Sequence, residues 1–136
     1  MNKHPVTHFE IYADDPDKLA RFYGGLFDWK IEQVPAADGV DYRLLVRTVD
    51  VDDNGRPTAQ TGGINGGIVK RPAGFTGHTV NYVSVESLDG ALERAQKLGA
   101  KVSRARTPVP GMGWFAILSD PQGNPFAIWE SDKKAR

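Results

Sequence analysis

The sequence predicts an α+β chain built from two β-α-β-β-β repeats, and three observations carry that expectation. Each half opens on a strand rich in β-branched and aromatic residues and continues into a capped amphipathic helix, then into shorter strands punctuated by Gly, Pro and Asp turns. The halves match in order and length, with Phe27-Asp28-Trp29-Lys30-Ile31 aligning on Leu98-Gly99-Ala100-Lys101-Val102. At 136 residues the chain has the size of one ordinary domain, so the repeats 6–70 and 78–130 are halves of a single domain over 1–136. A duplication of this size suggests two sheets curling around a shared cleft, with the helices outside.

In order, Val6 to Tyr12 reads as a strand, and Asp14-Asp15-Pro16 as a helix start, with a capping carboxylate followed by Pro in the first turn. Leu19, Phe22, Tyr23 and Leu26 make one apolar stripe on that helix, which Gly24-Gly25 and Asp28 bring to an end. Strands follow over 29–34, 42–49 and 60–70, separated by a turn over 35–40 and a polar loop over 50–58. In the second half, His78 to Val85 is a strand and Ser87 caps a helix with the stripe Leu88, Ala91, Leu92, Ala95 and Leu98. Gly99 stands where a left-handed cap is needed. Strands over 101–107, 114–119 and 125–130 complete the repeat, the last two joined by Asp120-Pro121-Gln122-Gly123-Asn124, a sequence of turn-forming chemistry. The polar tail from Ser131 is expected to fray.

Composition narrows the function classes. Seventeen basic and seventeen acidic residues cancel, which gives no electrostatic reason to expect nucleic acid or an anionic membrane as partner. Cysteine is absent, excluding disulfides, thiol nucleophiles and thiolate metal sites. No apolar run approaches the roughly 18 residues of a membrane span, and Met1 to Pro5 carries no signal-like apolar core, so a cytoplasmic protein is expected.

Thr7-His8-Phe9-Glu10-Ile11, Ala20-Arg21-Phe22-Tyr23, Leu26-Phe27-Asp28-Trp29 and Asp120-Pro121-Gln122-Gly123-Asn124-Pro125-Phe126 together resemble the vicinal oxygen chelate superfamily of glyoxalase I, bleomycin- and fosfomycin-resistance proteins and extradiol dioxygenases. The likeness covers essentially the whole chain. It is strongest to glyoxalase-like proteins with a Gly-rich fourth strand, here Gly62-Gly63-Ile64-Asn65-Gly66-Gly67. The resemblance implies an open mixed β-barrel cleft with helices outside, and a homodimer. It also implies that metal-dependent members hold a divalent ion with His and Glu from inner strand faces, where the ion acts as a Lewis acid on two neighbouring substrate oxygens.

Carried over position by position, the first-strand ligand falls on His8, its counterpart in the second repeat on Val80 and the last-strand ligand on Ala127. From Asn54 through Ser84 there is no Asp or Glu to supply the fourth-strand carboxylate. One imidazole does not make a divalent-metal site. A rearranged set is conceivable, since alternation puts His8, Glu10 and Tyr12 on one face and His78, Val80 and Tyr82 on another, which would let His8, Glu10 and His78 converge.

Other signals read structurally. Asp50-Val51-Asp52-Asp53-Asn54-Gly55 begins like a calcium loop, but its twelfth position is Thr61 and no helix flanks it, so it reads as a solvated hairpin. The paired glycines fit no phosphate-binding fingerprint and mark a bend or a close backbone approach. Lys70-Arg71 reads as a solvated strand end. Thr107 to Trp114, with two Pro and two Gly, reads either as a shaped loop able to cover a ligand or as a connector whose Trp packs in the core. Tyr12, Tyr42, Tyr82, Trp114 and Trp129 offer an aromatic lining.

The expectation is therefore a dimeric protein without metal or other cofactor that binds a small organic ligand through His8, Glu10, Tyr12, His78, Tyr82, Met112 and Trp114. The alternatives are a divalent-metal-dependent lyase, isomerase or dioxygenase with a rearranged ligand set, and a metal-free enzyme using His8 or Glu10 as general base.

Overall fold

The computed structural model describes residues 3–34, 43–58 and 62–136. The turn expected over 35–40, the start of the third strand with Tyr42, and Gln60 and Thr61 lie outside the described residues. The ten elements run β1 (Val6–Ala13), α1 (Pro16–Phe27), β2 (Lys30–Gln33), β3 (Arg43–Arg47), β4 (Gly66–Lys70), β5 (Thr79–Ser84), α2 (Leu88–Lys97), β6 (Lys101–Val109), β7 (Gly113–Ser119) and β8 (Pro125–Ser131). This is the α+β order of two β-α-β-β-β repeats. The chain forms two compact units, His8–Thr79 and the segment up to Thr7 with Val80–Arg136.

In the first unit the strand order is β2-β3-β4-β1, with β1 parallel to β4 and the other pairs antiparallel. Asp15 caps α1 by accepting a hydrogen bond from the Lys18 amide, with Pro16 behind it. The helix passes through Gly24-Gly25 and ends at Asp28, which takes the left-handed conformation and donates its N–H to the Gly24 carbonyl. Ala13, Leu44, Val46 and Ile68 form the core, and Phe9, Ile11, Leu19, Ala20, Trp29 and Ile31 pack on it. The expected stripe is thus only partly buried. Leu19 faces the core, but Phe22 and Leu26 are 58% and 59% exposed, because Ala20 and the Trp29 indole, rather than these side chains, meet the sheet.

The second unit repeats the topology as β5-β8-β7-β6, with β5 parallel to β8. Ser87 Oγ accepts from the Gly90 amide and caps α2. Leu88, Ala116, Leu118 and Ile128 make its core, joined by Ala91, Leu92 and Ala95 from the helix. Leu98, expected in the stripe, is 80% exposed because the helix stops before it and Gly99 turns the chain away at φ 105°.

Three further expectations are corrected. The fourth strand is shorter than expected. Ile64 and Asn65 are bound instead to the residues just after β3, where Asn65 Oδ1 accepts from the Thr48 and Val49 amides and the Thr48 hydroxyl donates to the Ile64 carbonyl. The tail does not fray, since Ala135 is 3% exposed and its carbonyl accepts from the Gly111 amide, while Asp132 N–H donates to the Met112 carbonyl. Lys70 and Arg71 are not merely solvated: Lys70 Nζ donates to the Asp14 carbonyl, and Arg71 donates to the Asp14 carboxylate and the Tyr12 carbonyl. The hairpin reading of the polar loop agrees with the structure, in which the Asp52 carboxylate accepts from the Asn54 and Arg56 amides inside a Val51–Pro57 bridge. Those bonds, that from Arg56 foremost, hold Asp52 below the usual carboxylate range.

Two glycines make room for aromatic rings. A methyl group at Gly66 would meet the carbonyl and ring of Phe9, and one at Gly113 would meet the Glu130 carbonyl and the Trp129 indole. We expect Gly113→Ala to destabilise the protein by about 1–3 kcal/mol, the usual cost of overpacking, as read from urea denaturation. The β7–β8 turn supplies a second prediction. Asp120 accepts from the amides of Gln122 and Asn124 and from the Asn124 side chain, and the Asn124 amide leads in lowering its pKa from 3.8. A depressed carboxylate stabilises the fold above its unfolded pKa and ceases to do so as pH falls through the folded value. Asp120→Asn should therefore lower the Tm at neutral pH, with the gap to the wild-type protein closing as the pH is taken below the carboxylate range.

Candidate functional site

In the first unit, alternation along β1 divides its side chains. Phe9, Ile11 and Ala13 join the α1-side core, which leaves His8, Glu10 and Tyr12 on the opposite face. Glu10 is 6% exposed, and its Oε1 lies 3.4 Å from His8 Nε2. A carboxylate this buried needs polar company, and the imidazole supplies part of it. Glu10 is in register with Gly67 of β4, so no side chain from that position crowds it. The paired glycines therefore serve the two faces differently. Gly66 admits the Phe9 ring on one side, and Gly67, itself buried, places no side chain against Glu10 on the other.

Tyr12 is buried. Its ring centroid lies 4.5 Å from that of Phe75, and its N–H donates to the His78 carbonyl. His78 itself is exposed and contributes its backbone here. The convergence of His8, Glu10 and His78 that a rearranged ligand set would require does not occur: among the described residues no three His, Asp or Glu side chains are grouped so as to hold a metal ion. An open groove of about 460 Å³ runs beside α1, lined by Asp17, Arg21, Gly24 and Trp29 among others. It lies on the helix side of the sheet, away from His8 and Glu10.

In the second unit the face away from α2 carries Tyr82, Phe115, Ile117, Ala127 and Trp129, as the registers Tyr82↔Ala127, Ile117↔Ala127 and Phe115↔Trp129 require. The Tyr82 and Phe115 rings are 6.3 Å apart. Trp114, expected among the ligand-lining residues, is on the other face. It packs against the Leu88–Leu118 core, its Nε1 donates to Asp132 Oδ2 at 3.0 Å, and the Arg106 guanidinium lies 4.1 Å over its ring. Successive residues of a strand point oppositely, so with Trp114 in the core it is Phe115 that faces away from it. Phe115 escaped the sequence reading; its alternation with the buried Ala116 and Leu118 was the available signal. That Trp114 bond is the leading cause holding the Asp132 carboxyl below its usual range.

Met112, 61% exposed, sits on a turn stapled by the Met112 N–H to Val109 carbonyl bond and by the tail.

The residues present do not fit the divalent ion that the superfamily resemblance implies. Val80 and Ala127, at two of the ligand positions, are fully buried aliphatic side chains. β4 reads Gly-Gly-Ile-Val-Lys and carries no carboxylate. His8 and Glu10 offer two donors where three or four are needed.

Residues 8–129 match the family described as the glyoxalase-like domain. Among curated proteins, CFP32 of Mycobacterium bovis and of Mycobacterium tuberculosis, provisionally named a glyoxylase, is 28% identical over 120 residues. That match covers 88% of this chain but 41% of the mycobacterial proteins, so the chain spans less than half their length. Among solved structures, the hypothetical protein BH1468 of Bacillus halodurans superposes with a TM-score of 0.68 at 11% identity, over 99% of both chains. A variant of Streptomyces coelicolor methylmalonyl-CoA epimerase, bound to 2-nitronate-propionyl-CoA, gives 0.65 at 13% identity over 97% of both. These structures share the fold. The chain belongs to the glyoxalase-like domain family of the vicinal oxygen chelate superfamily.

Proposed function

We propose that this protein is a small-molecule-binding member of the glyoxalase-like family that takes its ligand without a divalent metal ion. The observation that supports this reading is the replacement of metal donors by the fully buried Val80 and Ala127. An aliphatic group at a ligand position removes the donor and fills its space, so neither a rotamer change nor an added water restores the coordination. The groups offered to a ligand are those on the strand faces away from the helices. In one unit these are His8, Glu10 and Tyr12, with Glu10 beside the side-chain-free Gly67 of the neighbouring strand. In the other they are Tyr82, Phe115 and Trp129. Aromatic surface with a few fixed polar groups is the usual composition of a small-molecule site.

The test is the metal content of protein purified without a polyhistidine tag, measured by inductively coupled plasma mass spectrometry with His8→Ala alongside. We expect well below one equivalent of any divalent metal in both samples. We also expect the thermal shifts produced by a small-molecule library to be unchanged by a chelator. One equivalent of a single metal, lost in His8→Ala, would sink the proposal in favour of a metal-dependent lyase, isomerase or dioxygenase.

A further inference from the structure

β6 contains two arginines, Arg104 and Arg106, which a regular strand would place on one face. The structure separates them. Register along β6–β7 shifts between Val102 and Arg104 and again between Arg104 and Thr107. Val102 pairs with Leu118 on the core side, Arg104 with Ile117, and Thr107 with Phe115. As a result Arg106 covers Trp114 on the α2 side, while the Arg104 guanidinium lies 5.1 Å from the Phe115 ring centroid on the opposite face. Bulges interrupt the hydrogen-bond ladder, and a common consequence is the re-aiming of a side chain.

The two cations differ in what completes them. Arg106 donates to Asp89 Oδ2 of α2 at 2.8 Å. Arg71 has Asp14, Lys97 has Glu93 and Lys30 has Glu32. Arg104 has no carboxylate among the described residues. Its Nε reaches Thr107 Oγ1 at 3.4 Å, and that hydroxyl is committed as a donor to the Ala105 carbonyl. The ring below and the hydroxyl at Nε hold the guanidinium of this exposed residue, and its terminal N–H groups make no hydrogen bond among the described residues. Such a fork accepts a carboxylate through two parallel hydrogen bonds. Beside it runs an apolar row, since Ile117 is the strand partner of Arg104 and Phe115 is paired with Trp129.

We infer that Arg104 is an anion-anchoring residue and that the ligand of this unit is a small organic carboxylate with a flat apolar body. The carboxylate meets the Arg104 fork, and the body lies along the part-exposed rings of Phe115 and Trp129. The inference rests on the small-molecule reading above and specifies its ligand class.

The experiment is an NMR titration of the ¹⁵N-labelled full chain with two matched series: benzoate and phenylacetate, and their neutral amides. Alongside the wild-type protein stand R104Q, R104K, which keeps the charge but not the fork, and K101Q, which removes a positive charge elsewhere on β6. We expect the carboxylates to bind with shifts centred on Arg104 and Phe115 and the amides to bind at least tenfold more weakly. R104Q should lose about tenfold or more in affinity, the range for a charge-assisted hydrogen bond, R104K should fall between, and K101Q should match wild type. Amides binding as well as carboxylates, or R104Q titrating like wild type, would overturn the anion anchor and leave the small-molecule reading standing. Failure of both series to bind would overturn the carboxylate assignment, while the small-molecule reading stands or falls on the metal analysis and library screen above.

Discussion

The parallel pairing of β1 with β4, and of β5 with β8, is the constraint on which the rest of each unit depends. Parallel neighbours cannot be joined by a tight turn, so the chain must leave the sheet, cross one face and return. In both units the crossing is made by a helix, and the hydrophobic core forms under it. The sheet then has one face closed by the helix and one that the crossing leaves alone. Alternation along the strands assigns each side chain to one or the other. His8, Glu10 and Tyr12 lie opposite α1 because Phe9, Ile11 and Ala13 are needed beneath it.

Local features of the strands then shape both faces of each sheet. Glycine at 66 and 113 allows aromatic rings to lie across neighbouring strands where a methyl group would strike both a carbonyl and a ring. The shifts in β6 send two arginines of the same strand to opposite sides, one into a finished network with Trp114, Asp132 and Asp89, the other onto Phe115. Cation and aromatic ring attract in both cases. The difference lies in the anion that accompanies only the core-side member among the described residues.

The superfamily fold is compatible with Lewis-acid chemistry when its strands present enough donors. Here the fold is kept, and among the described residues no three His, Asp or Glu side chains are grouped to hold an ion. His8 remains, paired with the buried carboxylate of Glu10, while Val80 and Ala127 close two other positions with aliphatic volume. The same backbone that would hold an ion in one sequence thus offers, in this one, a polar pair in one unit and an aromatic face in the other. Fold and chemistry separate in this way because a scaffold fixes where side chains stand, while their identity decides what they do there.

Much of this was legible in the sequence. The caps Asp15 and Ser87, the Asp120–Asn124 turn and the strand periodicities depend on residues close in the chain, and the duplication follows from repeating them. The empty donor positions follow from residue identity at aligned places. Other features depended on contacts between distant segments and carried no local signal. Phe22, Leu26 and Leu98 fit helical stripes, yet they stand exposed because the width of the sheet, not the helix pattern, limits what is covered. The tail docks because Ala135 finds Gly111. The placement of Trp114 inward and Phe115 outward was decided by where β7 meets α2, and that of Arg104 and Arg106 by two extra residues absorbed in β6. The sequence by itself determined the elements and their order, since these rest on local periodicity and chemical identity. The tertiary structure alone decided which face each aromatic and each arginine serves, since facing is settled by strand register, a property of paired strands and not of either one.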